Sequence, residues 1–180
     1  TGGSGFIGKK FIKEALKAGH TIYAVTRKQR KKKRNLTWLK GGVDKDWSRY
    51  LKKSKVLVHM AAAGVNKNIG LEEAIEANIL KPHKLLINAI NSKCFNWIII
   101  GSASEYGKQA KLKKPLSNKT KEFPETNYEA TKNLFTKLSI SLSKKYKTKC
   151  RIMRLFNVYG KGEERSRLWP SLNKALKLKK

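Results

Sequence analysis

Short apolar runs of four to seven residues alternate along this chain with longer stretches of helical period. Phe6, Ile7, Phe11, Ile12, Ala15 and Leu16 recur at helical spacing and the pattern closes at Gly19, which predicts a helix over residues 6–18. Residues 20–26 (HTIYAVT) read as a strand, followed by a short strand at 36–39, a helix near 46–53 and a buried strand at 55–61 (KVLVHMA). A helix within 70–91, a strand at 96–102, a long loop rich in Lys and Pro, a helix over 127–145 and a strand at 149–155 continue the series, and residues 166–180 look like the opening of one more helix. There is no internal repeat. Alternation of this kind predicts an α/β fold, a doubly wound parallel sheet with helices on both faces. A glycine loop at residues 2–8 should follow a strand, yet Thr1 is the first residue, so the pattern reads as a fold truncated at both ends.

Length and composition narrow this picture. At 180 residues and 39% hydrophobic, the chain suits one domain with a real core, which excludes global disorder. No apolar run approaches the roughly 18–20 residues that a membrane span needs, so no membrane partner is expected. Cys94 and Cys150 lie 56 residues apart in apolar surroundings, with no C-x-x-C pair and no Cys/His cluster at metal-ligand spacing. They read as reduced core thiols of a cytoplasmic protein without a metal. Charge is the extreme feature: 42 Lys+Arg against 12 Asp+Glu give +30. That raises nucleic acid, an anionic membrane surface and polyphosphate ligands as partners without choosing among them, because the lysines are scattered over nearly every segment. The dense run is 27–34 (RKQRKKKR).

The opening TGGSGFIG places Gly2, Gly5 and Gly8 three residues apart just before the first predicted helix. Glycines at this spacing permit a tight turn, close approach of backbone N–H groups to a pyrophosphate, and close packing of helix on sheet. The pattern is that of a dinucleotide site. At the end of the next strand, NAD-binding folds usually carry an Asp or Glu for the ribose 2′-hydroxyl, whereas an Arg accommodates a 2′-phosphate. Here the strand ends Val25-Thr26-Arg27-Lys28, with no carboxylate. NADP is therefore favoured over NAD, with Arg27 as the phosphate contact; the alternative is a solvated basic loop.

Tyr128 and Lys132 stand four apart in NYEATKNLFTKL, on one face of the helix predicted there. An ammonium beside a phenol favours phenolate and lowers the phenol pKa, making Tyr a usable proton donor and acceptor nearer neutral pH. Ser102, in IIIGSASEYG, lies at the C-terminal edge of a predicted strand, where doubly wound folds place their ligands. Taken in order, TGGSGFIG at 1–8, HMAA at 59–62, Asn78 in EANILKP, SASEYG at 102–107, YEATK at 128–132 and RLFNVYG at 154–160 resemble the extended short-chain dehydrogenase/reductase superfamily. Within it, the resemblance is to the NAD(P)-dependent nucleotide-sugar epimerase/dehydratase family.

The resemblance implies a Rossmann domain over 1–160, with 161–180 starting an incomplete C-terminal substrate-binding region. It also implies hydride transfer at a carbon of a nucleotide-diphosphate sugar. Tyr128 would be the acid/base, Lys132 would orient the nicotinamide ribose, and Ser102 would hydrogen-bond the reacting sugar oxygen. Phe6 and Ile7 would cover the pyrophosphate beside Gly2, Gly5 and Gly8, while Met60, Ala61 and Ala62 would line the adenosine side. Asn78 would sit near the cofactor, Phe156 beside the nicotinamide, Asn157 at the substrate diphosphate, and Ser104 at a polar substrate contact. Arg165 or Arg167 could pair with the diphosphate, or could belong to a solvated helix start. Relatives commonly form homodimers through two helices per subunit, here those near 70–91 and 127–145.

Two departures bear on the reaction. The 4,6-dehydratases typically carry Asp-Glu, or at least Glu, directly after the serine or threonine, where this chain has Ala103 and Ser104; Glu105 falls one residue later and should turn to the other face. That argues against dehydration and leaves epimerisation or reduction of a 4-keto sugar. Gly42 stands where relatives often have an Asp contacting adenine, so Asp44 or Asp46 would have to substitute. The competing class is a non-catalytic RNA-binding or regulatory member of the superfamily, which the charge would suit. The intact Ser102, Tyr128 and Lys132 set speaks against it.

Overall fold

The computed structural model describes residues 1–65, 68–112 and 115–178; residues 113 and 114 of the predicted loop, and 179 and 180 of the predicted last helix, lie outside the described residues. Among the described residues every pairing between named strands is parallel. β1 (Ile22–Thr26) pairs with β2 (Leu36–Lys40), and β3 (Leu57–His59), β4 (Asn96–Ser102) and β5 (Lys149–Leu155) pair in that order. Residues 1–3 stand between the two sets: the Thr1 amine donates to the Val58 carbonyl at 2.7 Å, and the Gly3 backbone packs against Ala24 of β1. The helices are α1 (Phe6–Lys17), α2 (Ser48–Leu51), α3 (Leu71–Ile75), α4 (Lys81–Asn91), α5 (Asn127–Lys145) and α6 (Leu168–Leu178). This is the expected Rossmann-like arrangement of parallel strands and helices.

Two elements differ from the periodicity reading. The strand expected over 55–61 is only three residues long, because its ladder with β4 ends at the His59–Ile99 pair. Met60 then donates its N–H to Thr1 at 3.4 Å, and the chain turns away. The helix expected within 70–91 is interrupted by a π turn over Glu76–Leu80. Pro82, which follows, lacks the N–H that would close an α-helical bond to the Asn78 carbonyl, so the ladder is relaxed there. The turn brings Asn78 inside, 3% exposed.

The main core lies where β3 and β4 meet α4 and α5. Trp97 and Ile99 of β4, Leu85 and Leu86 of α4 and Phe135 of α5 are almost completely buried. The Trp97 indole N–H is not lost to this environment, since it donates to the Cys94 carbonyl at 2.7 Å. Both cysteines are free thiols, and burial raises their pKa, that of Cys150 to about 11. Among the described residues no helix is long and apolar enough to cross a membrane, and no His, Cys, Asp and Glu group could hold a metal ion. Truncation of Phe135 to Ala should cost about 3–5 kcal/mol, read as a lower urea midpoint with an unchanged slope, because its ring fills the space between His59 and the β4 core.

Candidate active site

The C-terminal ends of β3, β4 and β5 open into a cavity of about 1030 Å³. Its first wall is the glycine loop. Gly2 has φ +71°, and a Cβ there would lie 2.6 Å from the Met60 carbonyl carbon, so no other residue fits without displacing the β3 end. At Gly8 a Cβ would collide with the Gly2 carbonyl oxygen. This clearance lets α1 start directly beneath the loop, and Gly2, Gly5, Phe6, Ile7 and Gly8 all line the cavity. The N-cap of α1 is Gly5, with no side-chain cap and no acidic residue in the first turn. The first-turn amides, which a Ser or Asp cap would otherwise satisfy, are left for a ligand.

Opposite this wall, β4 delivers Ser102 to the cavity and α5 delivers Tyr128 and Lys132. The start of α5 is set by a capping box: the Thr126 hydroxyl accepts from Glu129 N–H at 3.2 Å, and the Glu129 carboxylate accepts from Thr126 N–H at 3.2 Å. Tyr128 is thereby held in the first helical turn, facing Ser102. Lys132, one turn on, is almost fully buried and donates from Nζ to the Ile100 carbonyl at 2.6 Å. Burial lowers its pKa, and the negative charge of Glu105 partly opposes this.

The expected lowering of the Tyr128 pKa is not what the structure shows. Burial of the phenol dominates and raises its pKa; the Ser102 hydroxyl and Arg167 pull it down, and Glu105 pushes it up. The Lys132 ammonium is directed at the Ile100 carbonyl. Neighbouring His59, fully buried and hydrogen-bonded to the Thr1 hydroxyl at 2.8 Å, has its pKa depressed well below the usual range, chiefly by burial.

Most of the other sequence candidates converge here. Met60 and Ala62 line the cavity beyond the glycine loop, Ser104 follows Ser102, and Phe156, Asn157 and Arg167 close the far side. Four do not line it. Ala61 directs its N–H to the Thr1 hydroxyl at 3.4 Å. Asn78 is a buried brace: its carbonyl oxygen accepts from Ala63 N–H at 2.8 Å, and its amide donates to the Ala63 carbonyl and the Thr131 hydroxyl, both at 3.1 Å. It thus shapes the 60–65 loop from behind, because the π turn rotates it inward. Arg165 is exposed outside the cavity. Arg27 is exposed at the end of β1, and Arg30, Lys31 and Lys33 of its basic run border a separate groove of about 510 Å³ beside α1 and β2.

Sequence reasoning missed the loop residues Gly64, Val65, Asn68 and Ile69, which line the cavity; Glu163 and Glu164, in the same stretch as Arg165 and Arg167, line it too. The loop carries no local motif; it is drawn in by Asn127, whose amide donates to the Ile69 carbonyl at 3.0 Å. Glu163 is marked by its i,i+4 spacing from Arg167, which it pairs with at 3.2 Å. Glu105 turns away from the cavity as expected, though through a one-turn 3₁₀ helix over Ala103–Tyr106 rather than strand alternation.

Residues 1–180, the whole chain, match the profile of the NAD dependent epimerase/dehydratase family. The chain belongs to this family. Solved structures share its fold. A UDP-N-acetylglucosamine 4-epimerase from Methanobrevibacter ruminantium, in complex with UDP-N-acetylmuramic acid, superposes with a TM-score of 0.86 at 23% identity, over 99% of this chain and 62% of that one. A UDP-glucuronic acid 4-epimerase from Bacillus cereus in complex with NAD gives 0.85 at 21% identity, with 99% and 62% coverage. A dTDP-glucose 4,6-dehydratase double mutant from Streptomyces venezuelae with NAD bound gives 0.81 at 19% identity, with 99% and 61% coverage. The chain thus spans about six-tenths of the length of these structures. No curated protein sequence matches it.

Membership in an NAD dependent family poses a test that the cavity passes: a dinucleotide needs uncapped helix amides beside a glycine turn that admits close approach, and both are present. Gly42, which stands where the resemblance implies an Asp, does not line the cavity. The Asp44 carboxylate folds back into the space that a side chain at Gly42 would occupy, whereas Asp46 is spent on capping Ser48 N–H at 2.8 Å. Replacing Gly8 by Ala should abolish NAD and NADP binding in isothermal titration, because the added methyl must displace the Gly2 carbonyl and with it the turn.

Proposed function

We propose that this chain is the cofactor-binding and catalytic part of an NAD(P)-dependent nucleotide-sugar epimerase or 4-keto-sugar reductase. The observation that carries the reading is that Ser102, Tyr128 and Lys132 face one cavity whose opposite wall is the uncapped start of α1. Gly2, Gly5, Phe6 and Ile7 would hold the pyrophosphate, Met60 and Ala62 the adenosine side, and Phe156 the nicotinamide. When bound, the nicotinamide exchanges hydride with the sugar carbon. The remaining work belongs to the chain's own residues. Tyr128, a neutral phenol at pH 7, holds the proton that a ketone oxygen takes up on reduction. Ser102 donates a hydrogen bond to the same oxygen, and Lys132 turns from the Ile100 carbonyl to the ribose hydroxyls. Asn157 and Arg167 meet the substrate diphosphate.

Dehydration is disfavoured because no carboxylate follows Ser102 into the cavity: the positions are Ala103 and Ser104, and Glu105 is sealed beneath them. Leu71 and Leu80 near the first expected dimer helix, and Leu134 and Ile140 on α5, are exposed apolar side chains that support a homodimer through these helices. A cytoplasmic location follows from the substrate class.

Tyr128→Phe in the full-length enzyme should lower kcat by about 10²–10⁴ on its sugar nucleotide while leaving cofactor affinity within a few fold. A panel of UDP- and dTDP-sugars, followed by NMR of the product, identifies the substrate. Arg27 lies outside the cavity yet at the end of β1, where a 2′-phosphate would emerge, so NADP(H) should bind at least about tenfold tighter than NAD(H) and Arg27→Asp should reverse the order. Tight stoichiometric NAD instead would favour the epimerase, and binding of neither cofactor would overturn the enzyme reading.

A further inference from the structure

Beneath Ser102 lies a polar cluster whose side chains do not line the cavity. The Glu105 carboxylate is completely buried. Its Oε1 accepts from Ser102 N–H at 2.8 Å and from the Thr136 hydroxyl at 3.2 Å, and its Oε2 accepts from Arg154 Nε at 2.8 Å. Arg154, projecting from β5, spends the rest of its guanidinium on the segment that joins Ser102 to Tyr128. Nη2 donates to Glu122 at 2.6 Å and Nη1 to the Tyr106 hydroxyl at 3.2 Å, while the guanidinium carbon lies 4.9 Å from the centre of the Tyr106 ring. The Tyr106 hydroxyl passes the chain on to the Ser117 carbonyl at 2.9 Å. The donors and acceptors of this cluster therefore belong to the end of β4, to β5, to α5, or to the connection between Ser102 and Tyr128.

We propose that Glu105 and Arg154 form a buried positioning pair that sets the placement of the Ser102 and Tyr128 hydroxyls relative to each other. The inference rests on the catalytic reading of those two residues given above. Its logic is geometric. Ser102 is the last residue of β4, and its N–H is held by Glu105; the Thr126 cap that places Tyr128 lies four residues past Glu122, which Arg154 holds. One planar guanidinium, presenting its N–H groups in a fixed fork, fixes both distances at once. A buried ion pair is not needed for stability, since matched apolar side chains can fill such a space equally well, so its presence between two catalytic segments points to placement.

Glu105 also couples to the site by charge. Around it stand Arg154 of β5, Tyr106 of its own turn, and Lys132 and Tyr128 of α5; Tyr128 in turn faces Ser102 and Arg167. The negative charge raises the pKa of both Tyr128 and Lys132, so neutralising it lowers both.

The test uses the full-length protein with tyrosine labelled at Cζ for NMR titration. Glu105→Gln should lower the Tyr128 titration midpoint, reduce kcat roughly 10- to 100-fold with KM changed less than about threefold, and leave NAD(P)H affinity intact. Glu105→Met combined with Arg154→Met removes both charges and guards against a folding defect: it should melt as one cooperative unit and still show the loss in kcat. Native kcat in the folded double variant, or an unmoved Tyr128 midpoint and native kcat in Glu105→Gln, would overturn the proposal. Ser102→Ala and Tyr128→Phe separate the two readings, because full activity in both would sink the catalytic assignment while the Tyr128 midpoint in Glu105→Gln still reports on the pair.

Discussion

The parallel pairing of β4 with β3 on one side and β5 on the other is the constraint on which the cavity depends. Parallel strands end on the same edge of a sheet, so the ladder brings Met60 just past β3, Ser102 at the end of β4 and Phe156 just past β5 to one edge, although they are far apart in sequence. The ladder is kept in register by burial. Trp97 and Ile99 alternate with half-exposed neighbours along β4, and a shift by one residue would turn both away from the core.

Polar groups, not apolar ones, carry the second level of order. The buried face of α5 includes Thr131, Lys132, Asn133, Thr136 and Ser139, an unusual interior for a helix against a sheet. Thr131, Lys132, Thr136 and Ser139 each find a partner: the Asn127, Ile100 and Phe135 carbonyls and the Glu105 carboxylate. A hydrogen-bonded interior of this kind tolerates one arrangement, since each displaced group would be left buried without a partner. That is the property a site needs when its reacting groups must be held within a fraction of an ångström.

Charge plays a smaller part than composition suggests. The chain carries +30, yet the dense basic run after β1 borders a groove apart from the cavity at the strand ends, with Arg30 over the Trp38 ring at 5.0 Å. Inside the cavity, the electrostatics come from a few buried groups whose mutual effects are amplified by exclusion of water.

Local pattern was enough to place α1, β4, α5 and β5 within a residue or so, because each has a clear period and a boundary signal such as Gly19. It was also enough to name the glycine loop and the Tyr128–Lys132 pair, whose spacings are short-range, whereas Ser102 joined them through the ordered motifs of the resemblance. What it could not supply depends on long-range partners. The length of β3 was decided by where β4 stops pairing, the inward turn of Asn78 by Pro82 and the needs of Ala63 and Thr131, and the raised Tyr128 pKa by burial, which no spacing encodes. The Glu105–Arg154 pair joins residues 49 positions apart, and only the packing of β5 beside β4 brings them together. Sequence determined the elements and the chemical types at their ends, because these follow from local backbone preference; tertiary structure decided distances, burial and charge coupling, because these exist only once separate elements exclude water between them.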